Sequence, residues 1–322
     1  MKKPLLSALA GLLATTVAHA TLLVYDGYSY GSGTLNGVMP NPDTVGLNQT
    51  VAYAGGGAAA YVAGGASLTF SNLVTTGGSV SFTTGTNVLA GSVSLGAGTT
   101  TPYAGANVNT SSSAHTGTLY GSYLIRLTAA PGSATTFETR VADTTATSNM
   151  RFITAPDSRV SGNSFSSVSY DSSDVGTIPT TNSFSLGINT NYLVISRFTG
   201  VGTTLTAIDQ SVATMYVLTS SQFDAFVGGG GNDSYLDSTA LGTGAGQITA
   251  RITDNNNNTT GTPDFATGRF IQYLAISSGG TLDETRYGTT LADVTPLIPE
   301  PSSLLLMGAA AALAGFRRRR TP

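Results

Sequence analysis

Apolar residues recur along the chain in short runs that alternate with polar residues or are rich in β-branched side chains. Glycine, asparagine and proline bound these runs, and no segment of the body keeps an apolar period of 3.6 residues over several turns. Such a pattern predicts strands, and their recurrence favours an all-β fold, an antiparallel β-sandwich. The predicted strands are Thr21–Tyr25, Ser67–Phe70, Ser79–Phe82, Gly121–Leu127, Thr135–Ala142, Arg151–Thr154, Asn191–Phe198, Ala213–Thr219, Gln247–Thr253 and Phe270–Ser277.

Two of these runs are apolar at consecutive rather than alternate positions. They cover Tyr192–Ile195 and Ile271–Ile276 and predict central strands that are buried on both faces. Because the termini of a domain often lie close together, we expect Leu22–Tyr25 beside either Arg269–Ile276 or Leu282–Arg286.

The remaining body segments predict one helix and several loops. SSQFDAF, Ser220–Phe226, is a plausible short helix that a serine at its start can cap and Gly228 can end. The Gly-, Ala- and Ser-rich segments Ala54–Ala66 and Gly96–Ala114 predict loops or weakly specified edges.

The first 20 residues, MKKPLLSALAGLLATTVAHA, have the three-part order of a secretory signal peptide. Lys2 and Lys3 form a positive start, an uncharged apolar stretch follows, and the tripeptide AHA that ends at Ala20 supplies small residues for cleavage. This order predicts passage through the export machinery and a mature body that begins at Thr21.

The other terminus, IPEPSSLLLMGAAAALAGFRRRRTP, joins a Pro-Glu-Pro motif, an apolar segment and four arginines in that order. The apolar segment, Ser303–Phe316, has about 14 residues, fewer than the ~20 that cross a bilayer core as a helix unless it extends toward Pro301. Arginines that flank an apolar helix stay on the cytoplasmic side. The tail therefore predicts a transient inner-membrane anchor that halts export with its C-terminus inside.

These three parts together resemble the PEP-CTERM sorting signal of Gram-negative bacteria. The resemblance assigns the sorting motif to Pro299, Glu300 and Pro301 and the topology stop to Arg317, Arg318, Arg319 and Arg320. It implies that an exosortase-type enzyme cleaves near the motif and that the body then reaches the cell surface or extracellular matrix. An ordinary single-span tail anchor is the alternative. The expected organisation is a signal peptide at 1–20, a β-sandwich domain at 21–297 and the sorting signal at 298–322.

The charge of the body argues against several partners. Of the 14 lysines and arginines, both lysines lie in the leader and four arginines in the tail, so eight arginines remain against 16 of the 17 acidic residues, a net charge of about −8. Phosphate binding needs clustered Lys and Arg, so nucleic acid is not an expected partner. The chain has no cysteine, which excludes disulfides although the destination is oxidising.

The last body segment, LDETRYGTTLADVTP at Leu282–Pro296, is similar to the strand and turn with which many secreted laminin-G/concanavalin-like jelly rolls end. LVYDGYSY at Leu23–Tyr30 and LGINT at Leu186–Thr190 are similar to segments of the same family. The resemblance implies an antiparallel jelly-roll body, flanked by the signal helix and the C-terminal hydrophobic helix. The chain departs from the family after Asn36-Gly37, where a Gly-rich segment with Trp is common, because it has no Trp. A sugar platform built on Trp is therefore not expected.

Few residues of the body suit catalysis, and we predict no catalytic residue. Its one histidine, His115, lies in a Ser-rich segment, and no G-x-S-x-G nucleophile motif accompanies it. Glycoside hydrolysis needs two carboxylates across the cleaved bond, and the glutamates of the body, Glu138 and Glu284, are far apart in sequence. Adjacent Asp283 and Glu284 point to opposite faces of a regular strand. Glu284 and Arg286 share a face, which predicts a structural ion pair.

Calcium is the metal that the composition favours, because oxygen ligands are abundant and one histidine without cysteine excludes the common zinc sites. The DNNNN turn provides a hypothetical structural calcium site with Asp254 and Asn256 as ligands, and a plain Asx-rich turn is the alternative. Gly228–Tyr235, GGGGNDSY, fits one copy of a calcium nonapeptide. Such copies bind by stacking on one another, so a flexible loop is favoured there.

Three classes of function remain. By elimination, the first is an exported surface or matrix protein whose body is structural or adhesive and not an enzyme. The second is a carbohydrate-binding module for extracellular polysaccharide, with Tyr28 and Tyr30 as stacking rings unless they serve for packing. The third is an unusual glycoside hydrolase. The sequence predicts no ligand-binding residues for the body.

Overall fold

The computed structural model describes residues 22–38, 61–82, 86–92, 94–95, 109–110, 117–128, 135–142, 150–154, 157–158, 168–169, 187–201, 213–254, 270–276 and 279–298. This part of the chain is mostly β-structure, which confirms the all-β prediction. The helices in it are short: α1 is Ser220–Gly228, α2 is Asp233–Ser238 and α3 is Leu291–Val294.

The described strands are numbered along the chain. They are β1 Leu22–Asp26, β2 Gly33–Thr34, β3 Tyr61–Ala66, β4 Gly78–Phe82, β5 Thr86–Ser92, β6 Ser94–Leu95, β7 Asn109–Thr110, β8 Gly117–Leu127, β9 Thr135–Ala142, β10 Met150–Thr154, β11 Asp157–Ser158, β12 Val168–Ser169, β13 Asn191–Val201, β14 Ala213–Leu218, β15 Ala250–Asp254, β16 Phe270–Ile276 and β17 Gly280–Gly288. Nine of them form an antiparallel sheet in the order β15-β14-β13-β8-β17-β4-β3-β2, with β1 paired to β17. A six-stranded sheet has the order β12-β10-β9-β16-β5 with β11 against β9, and β6 and β7 form a parallel pair.

The nine-stranded sheet is organised around β17. This strand pairs with β8 along one side, while β4 occupies the first half of its other side and β1 the second half. The pairing of β1 with Thr285–Gly288 makes the first and last described strands neighbours. It confirms the expectation that Leu22–Tyr25 lies beside Leu282–Arg286.

Both faces of the nine-stranded sheet carry buried apolar side chains. On β13, Tyr192 and Val194 belong to one apolar cluster and Leu193 and Ile195 to the other, which confirms a strand buried on both faces. The second cluster also contains side chains of α1, α2 and α3, so we call its side of the sheet the helical face. The other predicted central strand, β16, does lie between β9 and β5, and its side chains are outside the described residues.

The predicted strand Ser67–Phe70 is an irregular segment instead. Its alternation is real, since Leu68 and Phe70 are buried while Thr69 is exposed. However, the backbone N–H of Leu68 donates to the side chain of Asp283 at 2.6 Å rather than to a neighbouring strand. A buried carboxylate thus takes the place of a strand partner, and the sequence pattern cannot reveal such a partner.

The segment Ala54–Ala66, predicted to be a loop or a weakly specified edge, contains the strand β3 near one edge of the sheet. It pairs with β4, and the register shifts between Ala63 and Gly65. Gly64 sits at this bulge with a φ of 100°, which a residue with a side chain rarely adopts. The glycines that suggested a loop therefore serve a bulge within a sheet. Of the other predicted loop, Gly96–Ala114, the structure describes only β7.

The predicted helix Ser220–Phe226 is present as α1 and ends at Gly228 as expected. Thr219, rather than a serine, is the N-cap residue, and its backbone N–H donates to Gln222 Oε1 at 3.0 Å. Gln222 is buried and accepts a further hydrogen bond from the Thr249 hydroxyl at 2.6 Å. These contacts tie the first turn of α1 to the residue that precedes β15.

We expect Phe223→Ala to destabilise the protein by about 3–5 kcal/mol. The ring is fully buried in α1, with centroids of Phe70 and Phe226 at 5.7 Å and 5.6 Å. Ile188→Ala is the control because Ile188 is 43% exposed, and it should change stability by no more than about 0.5 kcal/mol. Urea unfolding of both variants measures the difference, and equal losses would contradict this packing.

Candidate functional site

The strand β17 concentrates buried charge on the helical face. Asp283, Glu284 and Arg286 are each at most 3% exposed. Charged side chains are rarely buried unless they are paired, so their partners decide whether this cluster is catalytic or structural.

A β-bulge places these three side chains. The register of β17 against β8 shifts between Asp283 and Arg286, so that Glu284 and Thr285 together face one residue of β8. Glu284 has a φ of 54°, in the left-handed region that costs a residue with a side chain about 1–2 kcal/mol. Such a bulge re-aims the side chains of the strand that carries it.

Asp283 fastens the segment 67–76 to the sheet. Its Oδ2 accepts hydrogen bonds from the Ser67 hydroxyl at 2.8 Å and from the backbone N–H of Leu68 at 2.6 Å. Its Oδ1 accepts from the backbone N–H of Glu284 at 2.8 Å. Both oxygens of this carboxyl are therefore bound by the protein itself.

Glu284 and Arg286 fasten the other end of the same segment. The Glu284 carboxylate accepts a hydrogen bond from the backbone N–H of Thr76 and forms an ion pair with Arg286. Arg286 Nη2 also donates to the Val74 carbonyl at 2.9 Å, and the guanidinium lies 4.9 Å from the centroid of the Tyr25 ring. The predicted structural ion pair between Glu284 and Arg286 is confirmed.

The prediction that Asp283 and Glu284 point to opposite faces is wrong. Both side chains bind the segment 67–76, whose Leu68 and Phe70 pack on the helical face. Alternation fails because the bulge adds one residue to the strand. The four carboxyl oxygens hold backbone and side chains of the protein together, which is a structural arrangement.

The tyrosines near the start of the chain also serve for packing. Tyr28 is fully buried, and its hydroxyl lies 2.9 Å from the hydroxyl of Thr285 in the bulge. Asp26 accepts hydrogen bonds from the Tyr28 backbone N–H at 2.8 Å and from the Tyr30 hydroxyl at 2.9 Å. These contacts favour the packing alternative over sugar stacking for both rings.

Burial controls the protonation of the acids on β17. It raises the pKa of Asp283 to about 8, although the hydrogen bond from Ser67 favours the ionised form, and the charge of Glu284 adds to the rise. Burial also raises the pKa of Glu284, while the Arg286 guanidinium opposes this effect. The carboxyl of Asp283 therefore binds a proton more readily than an ordinary aspartate does.

A second polar cluster fixes α2 on the helical face. Arg197 binds both carboxylate oxygens of Asp237 at 3.0 Å each and lies 3.1 Å from an oxygen of Asp233. The hydroxyls of Tyr216 and Tyr120 donate to Asp237 and Asp233, respectively. Burial raises the pKa of Asp237, but the hydrogen bonds from Arg197 and Tyr216 outweigh it and hold the pKa below its usual range.

The Gly-rich stretch Gly228–Tyr235 is an ordered turn that starts α2. Asn232 is the N-cap residue, and its side chain accepts a hydrogen bond from the Tyr235 backbone N–H at 3.0 Å. Asp233 is engaged with Tyr120 and Arg197. The expectation of a flexible loop is thus replaced by a helix start, and the side chains of Asn232 and Asp233 bind protein groups.

A groove of about 350 Å³ opens beside the segment 67–76. Most residues that line it are glycine, alanine or hydroxyl-bearing side chains, and Arg126 is the charged residue among them. We call it the Arg126 groove. Arg126 was not predicted from the sequence, although a lone charge in the strand GTLYGSYLIRL is a signal that could have identified it.

The hypothetical calcium site remains a prediction. Asp254 is the last residue of β15, where it pairs with Ala213, and its side chain lies outside the described residues together with all of Asn256. Among the residues that the structure describes, no group of three or more His, Cys, Asp or Glu could hold a metal ion. His115 also lies outside, and Glu138 is described only by its backbone position in β9.

The described chain ends where the tail begins. Leu297 forms an antiparallel bridge with Leu73, and the backbone N–H of Ile298 donates to the Asn72 carbonyl at 2.9 Å. The signal peptide at 1–20 lies outside the described residues. The same holds for the predicted sorting residues, which are Pro299, Glu300, Pro301, Arg317, Arg318, Arg319 and Arg320.

A protein-family model described as the PEP-CTERM protein-sorting motif matches residues 297–320. The matched range contains the Pro-Glu-Pro motif, the apolar segment and the four arginines. It indicates export and processing by an exosortase-type system, with a surface or extracellular destination. No curated protein matches the chain at a significant level.

The predicted membrane anchor lies in Ser303–Phe316, outside the described residues. In the part of the chain that is described, no helix combines the length and apolar character needed to cross a bilayer. The anchor therefore stays a prediction.

We expect Asp283 to make the protein less stable as pH rises. Its pKa in the folded state, about 8, lies above the ~3.9 of an unfolded aspartate, so the folded state binds more protons between these values. The stabilisation is complete below pH 4 and is lost as pH rises through about 8, at up to about 1.4 kcal/mol per pH unit. Unfolding of the wild type and of Asp283→Asn between pH 5 and 9 should show a smaller slope for the variant.

The control for this measurement is Ser234→Ala, because the side chain of Ser234 is exposed on α2 and does not titrate. This variant should keep the slope of the wild type. If Asp283→Asn keeps that slope as well, the pH dependence does not come from Asp283.

We expect Glu284 and Arg286 to be strongly coupled. Glu284→Gln or Arg286→Met alone leaves one buried charge without its partner, which costs about 3–5 kcal/mol. The double variant removes both charges and should cost clearly less than the sum of the single variants. Urea unfolding of the four proteins gives the coupling energy, and additivity within about 0.5 kcal/mol would contradict the ion pair.

Proposed function

We propose that this chain is an exported surface or matrix protein whose body, residues 21–297, is a non-catalytic structural or adhesive module of the jelly-roll class. The sorting match at 297–320 supports the destination. The observation that carries the non-catalytic role is the complete engagement of the Asp283 and Glu284 oxygens by protein groups.

The jelly-roll class is supported by three features of the described residues. They include two antiparallel sheets of nine and six strands, and the larger sheet is buried on both faces. Its first and last strands are neighbours. The laminin-G/concanavalin-like resemblance of Leu282–Pro296 agrees with this arrangement, since that segment is β17 followed by the turn into α3.

The absence of a catalytic role is supported by the geometry of the buried acids. A glycosidase needs an acid and a nucleophile or base about 5–10 Å apart across an open cleft. Asp283 and Glu284 instead lie beneath the segment 67–76 and hold it in place. A group occupied in this way is poorly available to a substrate.

Carbohydrate binding is the second candidate function. The observation that favours it is the Arg126 groove, whose serine, threonine and asparagine side chains present hydroxyl and amide groups. Such groups both donate and accept hydrogen bonds, as sugar hydroxyls do.

We expect replacement of all four residues Arg317–Arg320 by Ser to abolish retention at the inner membrane and the processing that follows. The cationic flank is the part of the tail that stops export, so the matched control replaces the same residues by Lys and should be processed normally. Cell fractionation and mass spectrometry of the C-terminus measure both outcomes. Mature surface protein that still carries an intact C-terminus would contradict the sorting proposal.

A second experiment tests the role of the body. The exported protein should remain with the extracellular matrix fraction of the cells, and the purified protein should release no reducing ends from polysaccharides. Hydrolysis that is lost in Glu284→Gln would overturn the non-catalytic proposal. Repeating the matrix assay with a calcium chelator also tests the hypothesis that Asp254 and Asn256 hold a structural ion.

A further inference from the structure

The floor of the Arg126 groove is a row of polar side chains across four strands. The register places Asn191 of β13 beside Arg126 of β8, Arg126 beside Thr281 of β17, and Thr281 beside Ser81 of β4. Residues two apart on a strand share a face, so Arg126 lies on the same face as Leu124, which is the helical face. The row is therefore a continuous polar line perpendicular to the strands.

One wall of the groove is built by the residues that follow β3. Asp283 binds the Ser67 hydroxyl and the Leu68 backbone N–H, and the Asn191 side chain donates to the Thr69 carbonyl at 3.0 Å. The wall is thus held by groups of two strands of the sheet. A site whose walls are fixed in this way needs little ordering when a ligand binds.

The guanidinium of Arg126 has unused hydrogen-bonding capacity. Its Nε is buried and has no hydrogen-bond acceptor among the described residues. Its Nη2 reaches the Thr281 hydroxyl at 3.5 Å, a distance that makes a weak hydrogen bond at best. Because buried N–H groups nearly always have a partner, the described residues leave the hydrogen-bonding capacity of Arg126 incompletely used.

We propose that the Arg126 groove binds a uronic acid unit of an acidic polysaccharide, with its carboxylate on Arg126 and its ring hydroxyls on Thr281, Ser81 and Ser79.

The polar groups of the groove match both the carboxylate and the hydroxyls of this ligand. A guanidinium is a planar fork that binds a carboxylate through two parallel hydrogen bonds. The hydroxyls of Ser79 and Ser81 donate to the Ala66 and Val62 carbonyls at 2.8 Å and 3.3 Å, which leaves their oxygens able to accept hydrogen bonds from sugar hydroxyls. Among the described residues that line the groove there is no aromatic ring, which disfavours a neutral sugar held by stacking. The volume of about 350 Å³ lies at the small end of ligand pockets, roughly 300–1,000 Å³.

The acidic character of the body does not exclude this ligand. The part of the lining that the structure describes contains Arg126 and no carboxylate. Asp283, which holds the wall, has its oxygens turned to Ser67, Leu68 and Glu284 rather than to the groove. The local field therefore favours one negative group, and the acidic remainder of the body favours a polysaccharide whose uronic acid units are widely spaced. Single uronates are for that reason the appropriate probes.

The experiment measures binding of D-galacturonate and D-glucuronate to the exported, processed protein by NMR titration at pH 7. At least one of the two uronates should bind saturably to the wild type and at least tenfold more weakly to Arg126→Gln. Arg126→Lys, which keeps the charge but loses the fork, should fall between them. Thr281→Val tests the hydroxyl contacts independently, in case Arg126→Gln does not fold, and should weaken binding as well. Ser234→Ala on α2 lies outside the groove and should bind as the wild type does.

Titrations with acetate, inorganic phosphate and glucose show which part of the proposed ligand the groove recognises. Acetate or phosphate bound as tightly as uronate would make the groove a simple anion site and overturn the saccharide assignment. Glucose bound as tightly would overturn the role of the carboxylate. No uronate binding, or binding that neither Arg126→Gln nor Thr281→Val weakens, would overturn the proposal as a whole. The inference rests on the carbohydrate-binding candidate, and its failure would leave exosortase sorting and the non-catalytic role to their own tests.

Discussion

The ion pair between Glu284 and Arg286, set in a bulge of β17, is the constraint on which much of the described structure depends. The bulge costs about 1–2 kcal/mol because Glu284 adopts a left-handed backbone conformation. It also brings Glu284 to the same face as Asp283, so that two carboxyls bind one segment of chain. Burying one of these charges alone would be strongly unfavourable, and Arg286 offsets that cost for Glu284.

The segment 67–76, which this cluster holds in place, contacts three other parts of the fold. Ser67 and Leu68 form a wall of the Arg126 groove. Phe70 packs on Phe223 of α1, with ring centroids 5.7 Å apart. The Val74 backbone N–H donates to the Pro296 carbonyl at 2.9 Å, next to the bridge that ends the described chain. One local irregularity therefore positions a core contact, a groove and the exit of the chain.

The sequence predicted the strands well, because alternation and β-branched runs are local properties, and it predicted α1 and the ion pair of Glu284 with Arg286. It did not predict the bulge, which reverses the expected orientation of Asp283 relative to Glu284 and is set by pairing with β8. Ser67–Phe70 has a strand-like alternation but bonds to a side chain more than two hundred residues away in sequence. The Arg126 groove could not be predicted for the same reason, because its row of side chains forms only when four strands that are distant in sequence pair in register.

The fold and the sorting signal share residues rather than being joined by a separate linker. The matched motif begins at residue 297, and Leu297 is also the residue that bridges to Leu73. Ile298, the next residue, still donates a backbone hydrogen bond to Asn72. Because the segment that receives this bridge is held by Asp283, Glu284 and Arg286, the cluster on β17 also fixes where the sorting signal leaves the body. The buried cluster of Asp283, Glu284 and Arg286 thus anchors the segment on which the last described residues lie.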